Sequence, residues 1–149
     1  MSIESVAPVH QSIGNGELFW KHFTCTIDLL RYVDGQWILT YIQPSISPNK
    51  KDIVVEIGPG DGALTKLLLP VVKKIYLVEK DESLINDLDF VMNGYVNSKV
   101  INRDILKFDF SFLKFPFRVI GNLPYNISTE IIFKMCKVNN VIDMHFMLQ

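Results

Sequence analysis

Only two of the 149 residues are cysteine, Cys25 and Cys136, and only three are histidine, His10, His22 and His145. Two thiols so far apart make neither a disulfide framework nor a short-spaced zinc site, and they read as unpaired core thiols in a reducing cytosol. With the histidines scattered, no metal site is expected. No apolar run reaches the roughly 20 residues that span a bilayer. Lys66, Lys73, Lys74 and Lys80 interrupt the candidates. Met1 to His10 lacks a basic stretch followed by an apolar one, so a secretory leader is not expected and the chain reads as cytoplasmic. Neither charge is in excess: 15 Lys+Arg face 16 Asp+Glu, a net charge of −1. Nucleic-acid affinity from bulk positive charge is thereby excluded, whereas a local basic patch is not.

What is present is apolar material in quantity. Hydrophobic residues make up 48 % of the chain and mean hydropathy is +0.20, ample for one core at this length. Residues 1–49 carry 2 basic and 4 acidic side chains, residues 50–149 carry 13 and 12. The division expected is therefore an N-terminal part, 1–45, and a patterned part, 46–149. Residues 1–16 have no period and predict a loosely attached arm. Phe19, Phe23, Ile27 and Leu30 predict a helix within 17–33, and Trp37, Ile38, Ile42 and Ile46 a weaker one. Beyond the loop Ser47–Lys51, strands are predicted at Ile53–Ile57, Lys74–Val78, Val100–Ile101, Arg118–Gly121 and Met144–Leu148. Helices are predicted at Ala63–Leu69, after an Asp81 cap, and from Thr129 to Cys136 after a Ser128 cap. Apolar strands alternating with helices mean an α/β fold with a parallel sheet covered on both faces. Phe108, Phe110, Phe112, Phe115 and Phe117 read as core wedges under a long loop.

In such sheets ligands lie beyond the carboxyl ends of the strands. The first predicted strand ends in Gly58-Pro59-Gly60-Asp61-Gly62, the second in Glu79, the third in Asp104, the fourth in Asn122-Leu123-Pro124-Tyr125. The glycine loop alone fits a dinucleotide site as well as a methyltransferase loop. Its content is close approach of backbone to ligand, since side chains at Gly58 or Gly60 would fill that space. Glu79 suits a pair of ribose hydroxyls, and equally a solvated strand end. Asp104 can accept from an adenine amine, or cap the turn Asp104-Ile105-Leu106. Asn122 to Tyr125 is the specific signal. The Asn122 side-chain oxygen and the Pro124 carbonyl both accept from an exocyclic amine, and Tyr125 offers a stacking face worth roughly 1–3 kcal/mol.

Together, Val55-Glu56-Ile57-Gly58-Pro59-Gly60-Asp61-Gly62-Ala63-Leu64-Thr65, Val78-Glu79, Asp104, Gly121-Asn122-Leu123-Pro124-Tyr125-Asn126-Ile127-Ser128-Thr129 and the closing Asp143–Gln149 resemble the KsgA-type ribosomal RNA adenine dimethyltransferases. The resemblance covers about residues 46–149. It implies a class I S-adenosylmethionine-dependent methyltransferase (Rossmann-like) fold and dimethylation of the N6 amines of two adjacent adenosines in small-subunit ribosomal RNA. By position, Gly58 and Gly60 would lie against the cofactor, Glu79 would hold its ribose and Asp104 its adenine amine. Asn122 would lie between cofactor and target amine, with Tyr125 under a target base that has left its stack. The chemistry requires neither metal nor covalent intermediate, because the sulfonium is already activated and proximity does most of the rest.

The family's cofactor-covering motif near the N-terminus has two partial counterparts here, Gly35-Gln36-Trp37-Ile38-Leu39 and, in ungapped register, Leu29–Val33. The family also continues past the fifth strand into further strands and a helical domain, which are expected to be missing here. Met144–Leu148 is therefore expected to form an uncharged open edge, with weak cofactor binding and little turnover. Three other readings stay open: a non-enzymatic, RNA-associated remnant, a nicotinamide-dependent oxidoreductase, and a DNA adenine methyltransferase. Leu123, where the DNA enzymes carry a first proline, favours RNA.

Overall fold

The computed structural model describes residues 3–12, 18–27 and 46–148, with 3–12, 18–27 and 147–148 described through their backbone alone. Seven strands occur in it: β1 (Ile3–Ser12), β2 (Leu18–Ile27), β3 (Ile53–Ile57), β4 (Lys74–Glu79), β5 (Ser98–Asn102), β6 (Phe117–Leu123) and β7 (Val141–Leu148). The helices are α1 (Ala63–Leu68), α2 (Ile85–Val91) and α3 (Tyr125–Cys136). The strands form one sheet in the order β1-β2-β7-β6-β3-β4-β5. All neighbours are parallel except β1, which runs antiparallel to β2.

From β3 the chain steps outward to β4 and β5, then returns to the other flank of β3 for β6 and β7. That reversal opens a crevice above the carboxyl ends of β3 and β6. The alternation of strand side chains builds two cores. Val54, Ile75, Leu77 and Ile120 pack with Leu64, Leu68 and Leu88 from α1 and α2. Val55, Val119 and Phe146 pack on the other face with Ile131 and Met135 of α3 and with Phe108, Phe110 and Leu113 of the loop before β6. The phenylalanine run is thus largely core, as its pattern predicts. Phe108 meets Phe110 edge-on at 4.8 Å, and only Phe112 stands well out, 45 % exposed.

Four expectations are corrected. The predicted arm contains β1, and its Pro8 sits on an edge strand, the place in a sheet where proline is tolerated. The helix expected over 17–33 gives way to β2. Phe19, Phe23 and Ile27 are four apart, and four is a multiple of the strand period as well as close to the helical one. The strand Met144–Leu148 is not an edge: Cys25, Thr26 and Ile27 pair with Met144, His145 and Phe146. Finally, α3 begins at Tyr125, ahead of Ser128, because Pro124 at φ −64° and ψ 137° turns the chain into the helix. Ser128 instead donates its hydroxyl to the Tyr125 carbonyl, 3.1 Å away. The two counterparts of the cofactor-covering motif, in 29–33 and 35–39, lie outside the described residues, as does nearly all of the weak helix at 37–46. Among the described residues, no helix is long and apolar enough to cross a membrane.

Candidate active site

Each strand that points at the crevice ends within two residues of a glycine, a proline or a carboxylate. After β3 the chain turns through Gly58 and Gly60, at φ +62° and +59°, where a side chain would be strained. A Cβ at Gly58 would meet nothing within 4 Å, so the backbone there faces open space. The Gly58 N–H donates to the Val78 carbonyl at 3.0 Å, tying the loop to β4.

Glu79 closes β4, and it is not a solvated strand end, being only 7 % exposed. Its Oε1 accepts from the Asp81 N–H at 2.8 Å and its Oε2 from the Gly60 N–H at 3.2 Å. Each oxygen keeps a lone pair, so the carboxylate is oriented by backbone yet can still accept two hydroxyls. Asp81 in turn caps the short 3₁₀ turn before α2 through Ser83, as its place in the sequence predicts.

Asp104 follows β5 and makes the turn that one reading of it expects. Its Oδ1 accepts from the Leu106 N–H at 3.0 Å, making the turn. Its Oδ2 stands 3.1 Å from the Lys80 ammonium. The Leu106 N–H first, and the Lys80 ammonium next, hold its carboxyl below the usual carboxylate range.

Asn122 lies near the end of β6, exposed, and its side chain makes no hydrogen bond to any described residue. Both of its polar atoms are therefore open to a ligand. The Pro124 carbonyl already accepts from the Ile127 N–H at 3.2 Å, leaving it one lone pair.

Gly58, Glu79, Asp104, Asn122 and Pro124 line a single cleft of about 570 Å³, a volume typical of small-molecule sites. Its apolar floor includes Ile57, Val78, Ile105 and Leu123. Two expected site residues are not in the lining. Gly60 donates its N–H to Glu79, and Tyr125, which opens α3, is 80 % exposed. Lys80 and Arg103, which also line the cleft, were not singled out by sequence reasoning. Their charge next to two acidic strand ends was the available signal.

Glu56 is the other residue that motif reading passes over. It is 2 % exposed, accepts from the Thr65 hydroxyl at 2.7 Å, and so fastens β3 to α1 beneath the glycine loop. Burial pushes its carboxyl up to about 7; the Thr65 bond opposes the shift and the Glu79 charge adds to it.

Comparison with known proteins agrees with this geometry. A family model described as ribosomal RNA adenine dimethylase matches residues 31–149. The ribosomal RNA small subunit methyltransferase A of Coxiella burnetii is 44 % identical over 121 residues, covering 79 % of this chain and 47 % of the relative. The chain thus spans about half the length of the curated relatives it matches. The solved dimethyladenosine transferase from Plasmodium falciparum superposes with a TM-score of 0.64 at 33 % identity, over 72 % of this chain and 39 % of that one. The 23S rRNA methyltransferase ErmE superposes at 0.61 with 27 % identity, over 67 % and 40 %. The fold is the class I, Rossmann-like methyltransferase fold. Motif, strand order and cleft agree with the match over residues 31–149, and the chain belongs to the ribosomal RNA adenine dimethylase family.

Proposed function

We propose that residues 46–149 form the S-adenosylmethionine-binding core of a ribosomal RNA adenine N6-dimethyltransferase acting on small-subunit RNA in the cytoplasm. The observation that carries this reading is the convergence of four successive strand ends on one cleft. The residues present fit the cofactor: open space over a left-handed Gly58, a carboxylate at Glu79 with acceptor capacity on both oxygens, and a second carboxylate at Asp104 one strand further on. When bound, S-adenosylmethionine supplies a methyl group on an already activated sulfonium.

The chain's own residues hold and orient. Glu79, oriented by the Gly60 N–H, takes the ribose hydroxyls, Asp104 the adenine amine, and the backbone at Gly58 lets the cofactor approach. The Asn122 side-chain oxygen and the free lone pair of the Pro124 carbonyl accept from the target N6 amine. Those two bonds localise the nitrogen lone pair, otherwise delocalised into the ring, toward the incoming methyl. Tyr125, exposed on the rim, offers its face to a base that has left its stack.

The test is titration with S-adenosylhomocysteine, followed by radiolabelled methyl transfer to a small-subunit RNA fragment. Asn122→Ala should cut transfer at least about 100-fold, while leaving S-adenosylhomocysteine affinity within a few-fold. Asp104→Ala should weaken that affinity. Transfer to duplex DNA but not RNA would support the DNA-methylating reading, and NADH binding in place of S-adenosylhomocysteine the oxidoreductase one. Cofactor binding without transfer to any substrate would make the chain a binding remnant.

A further inference from the structure

At the β4–β5 end of the cleft, Asp104 has two oxygens with different fates. Oδ1 is committed to the Leu106 N–H, which makes the turn and fixes the plane of the carboxylate. Oδ2 makes no backbone bond and faces the Lys80 ammonium at 3.1 Å, which leaves it one lone pair for a ligand. Both residues line the cleft. Lys80 cannot drift far from this position at its backbone end. The Asn102 side-chain amide donates to the carbonyls of Glu79 and Lys80, at 3.1 and 3.3 Å, and so ties the end of β4 to the end of β5. The ammonium end is different. Its side chain is 75 % exposed, so water can take over its hydrogen bonds as it swings away.

We propose that Lys80 is a specificity-determining competitor inside the nucleoside end of the cleft, engaging the same Asp104 oxygen that an exocyclic amine would use. This rests on the reading of the cleft given above. A ligand whose base carries an amine donates to Oδ2 and must displace the ammonium, or share the oxygen with it at a loss. A ligand whose base carries a carbonyl at the same position offers Oδ2 no hydrogen from that position, and its carbonyl accepts from the Lys80 ammonium. Lys80 therefore weakens the amine-bearing ligand, helps the carbonyl-bearing one, and narrows the discrimination between them. An exposed ion pair is a weak rival, so the effect is a modest one.

The experiment compares the full chain with its Lys80→Met variant by calorimetric titration of two ligands, S-adenosylhomocysteine and its deaminated counterpart S-inosylhomocysteine, at low and high KCl. The Lys80 side chain is largely exposed, and circular dichroism checks that the variant keeps its fold. The proposal expects Lys80→Met to bind S-adenosylhomocysteine about two- to fivefold more tightly and S-inosylhomocysteine no more tightly than the parent does. It also expects the gain to shrink as salt screens the ion pair in the parent. Equal or weaker S-adenosylhomocysteine binding by the variant would overturn the proposal, making Lys80 a bystander or a direct contact. So would equal tightening for both ligands, since that reflects removal of a charge and not release of one oxygen. If neither protein binds S-adenosylhomocysteine, the cofactor reading itself fails and takes the proposal with it, an outcome that cannot be confused with the other two.

Discussion

Glu56 is a carboxylate inside the apolar run Ile53–Ile57, shut away from water with one hydroxyl for company. Burial raises its carboxyl from 4.5 to about 7, so the folded protein holds its proton more tightly than the unfolded chain does. The stability this group provides is whole below pH 4.5 and is lost as pH rises through about 7. A shift of that size corresponds to about 3 kcal/mol across the window. Glu56→Gln keeps an acceptor for Thr65 and removes the titration. Chemical denaturation at several pH values should show the parent weakening from pH 4.5 to 7 and the variant losing most of that slope. A slope unchanged in the variant would place the titrating group elsewhere. The motif that flags Gly58 and Gly60 contains Glu56 too, yet local spacing assigns it no task, because what raises its pKa is the packing of α1 over β3. Asp104 was half legible for a related reason: its turn-making bond is local, whereas the Lys80 contact joins two strand ends.

Elements were legible where hydrophobic pattern and turn chemistry agreed. Each strand predicted between Ile53 and Leu148 is found, the edges moving by a few residues. Asp81 caps as its position suggests, since a cap is a contact two residues long. The order of strands and the partner of β7 were not legible, because pairing is a long-range choice that an apolar strand leaves open. The pairing of β3 with β6 depends on one small residue. A Cβ on Gly121 would stand 2.7 Å from the Ile57 carbonyl oxygen, which is backbone and has nowhere to turn. Gly121→Ala should therefore force the two strands apart directly below Gly58 and Asn122, costing about 1–3 kcal/mol of stability. It should also reduce S-adenosylhomocysteine affinity, although Gly121 itself does not line the cleft. Thermal melting with calorimetric titration checks both. Loss of stability with full affinity would mean that the strand ends stay in place despite the strain.

At the scale of the molecule, the cleft at one end of the sheet is matched by a cluster of charges in its opposite half. Arg118, in the second position of β6, donates from Nε and a terminal nitrogen to both oxygens of Asp143 on β7, at 2.9 and 2.8 Å. Its other terminal nitrogen reaches Asp52, just before β3, at 2.9 Å. One guanidinium thus joins three neighbouring segments of the sheet, and His145 lies against it at 3.3 Å. Burial favours a neutral Asp143, but hydrogen bonds from His145 and Arg118 outweigh it and hold the carboxyl below its ordinary 3.8. Its contribution to stability is therefore present above pH 3.8 and is lost as pH falls through the lowered value. That is opposite in sign to Glu56, so these two groups together favour greatest stability near the ordinary carboxylate range, 3.8 to 4.5. Arg118→Met retains most of the side-chain volume and leaves two carboxylates without their cation. It should cost about 3–5 kcal/mol at pH 7. The penalty should shrink below pH 4, where an abandoned Asp143 can take up a proton. Urea unfolding of parent and variant at both pH values measures this. A penalty equal at both would show that Arg118 acts through packing alone, whereas a penalty relieved by acid would show that its charge holds β6, β7 and the segment before β3 in register.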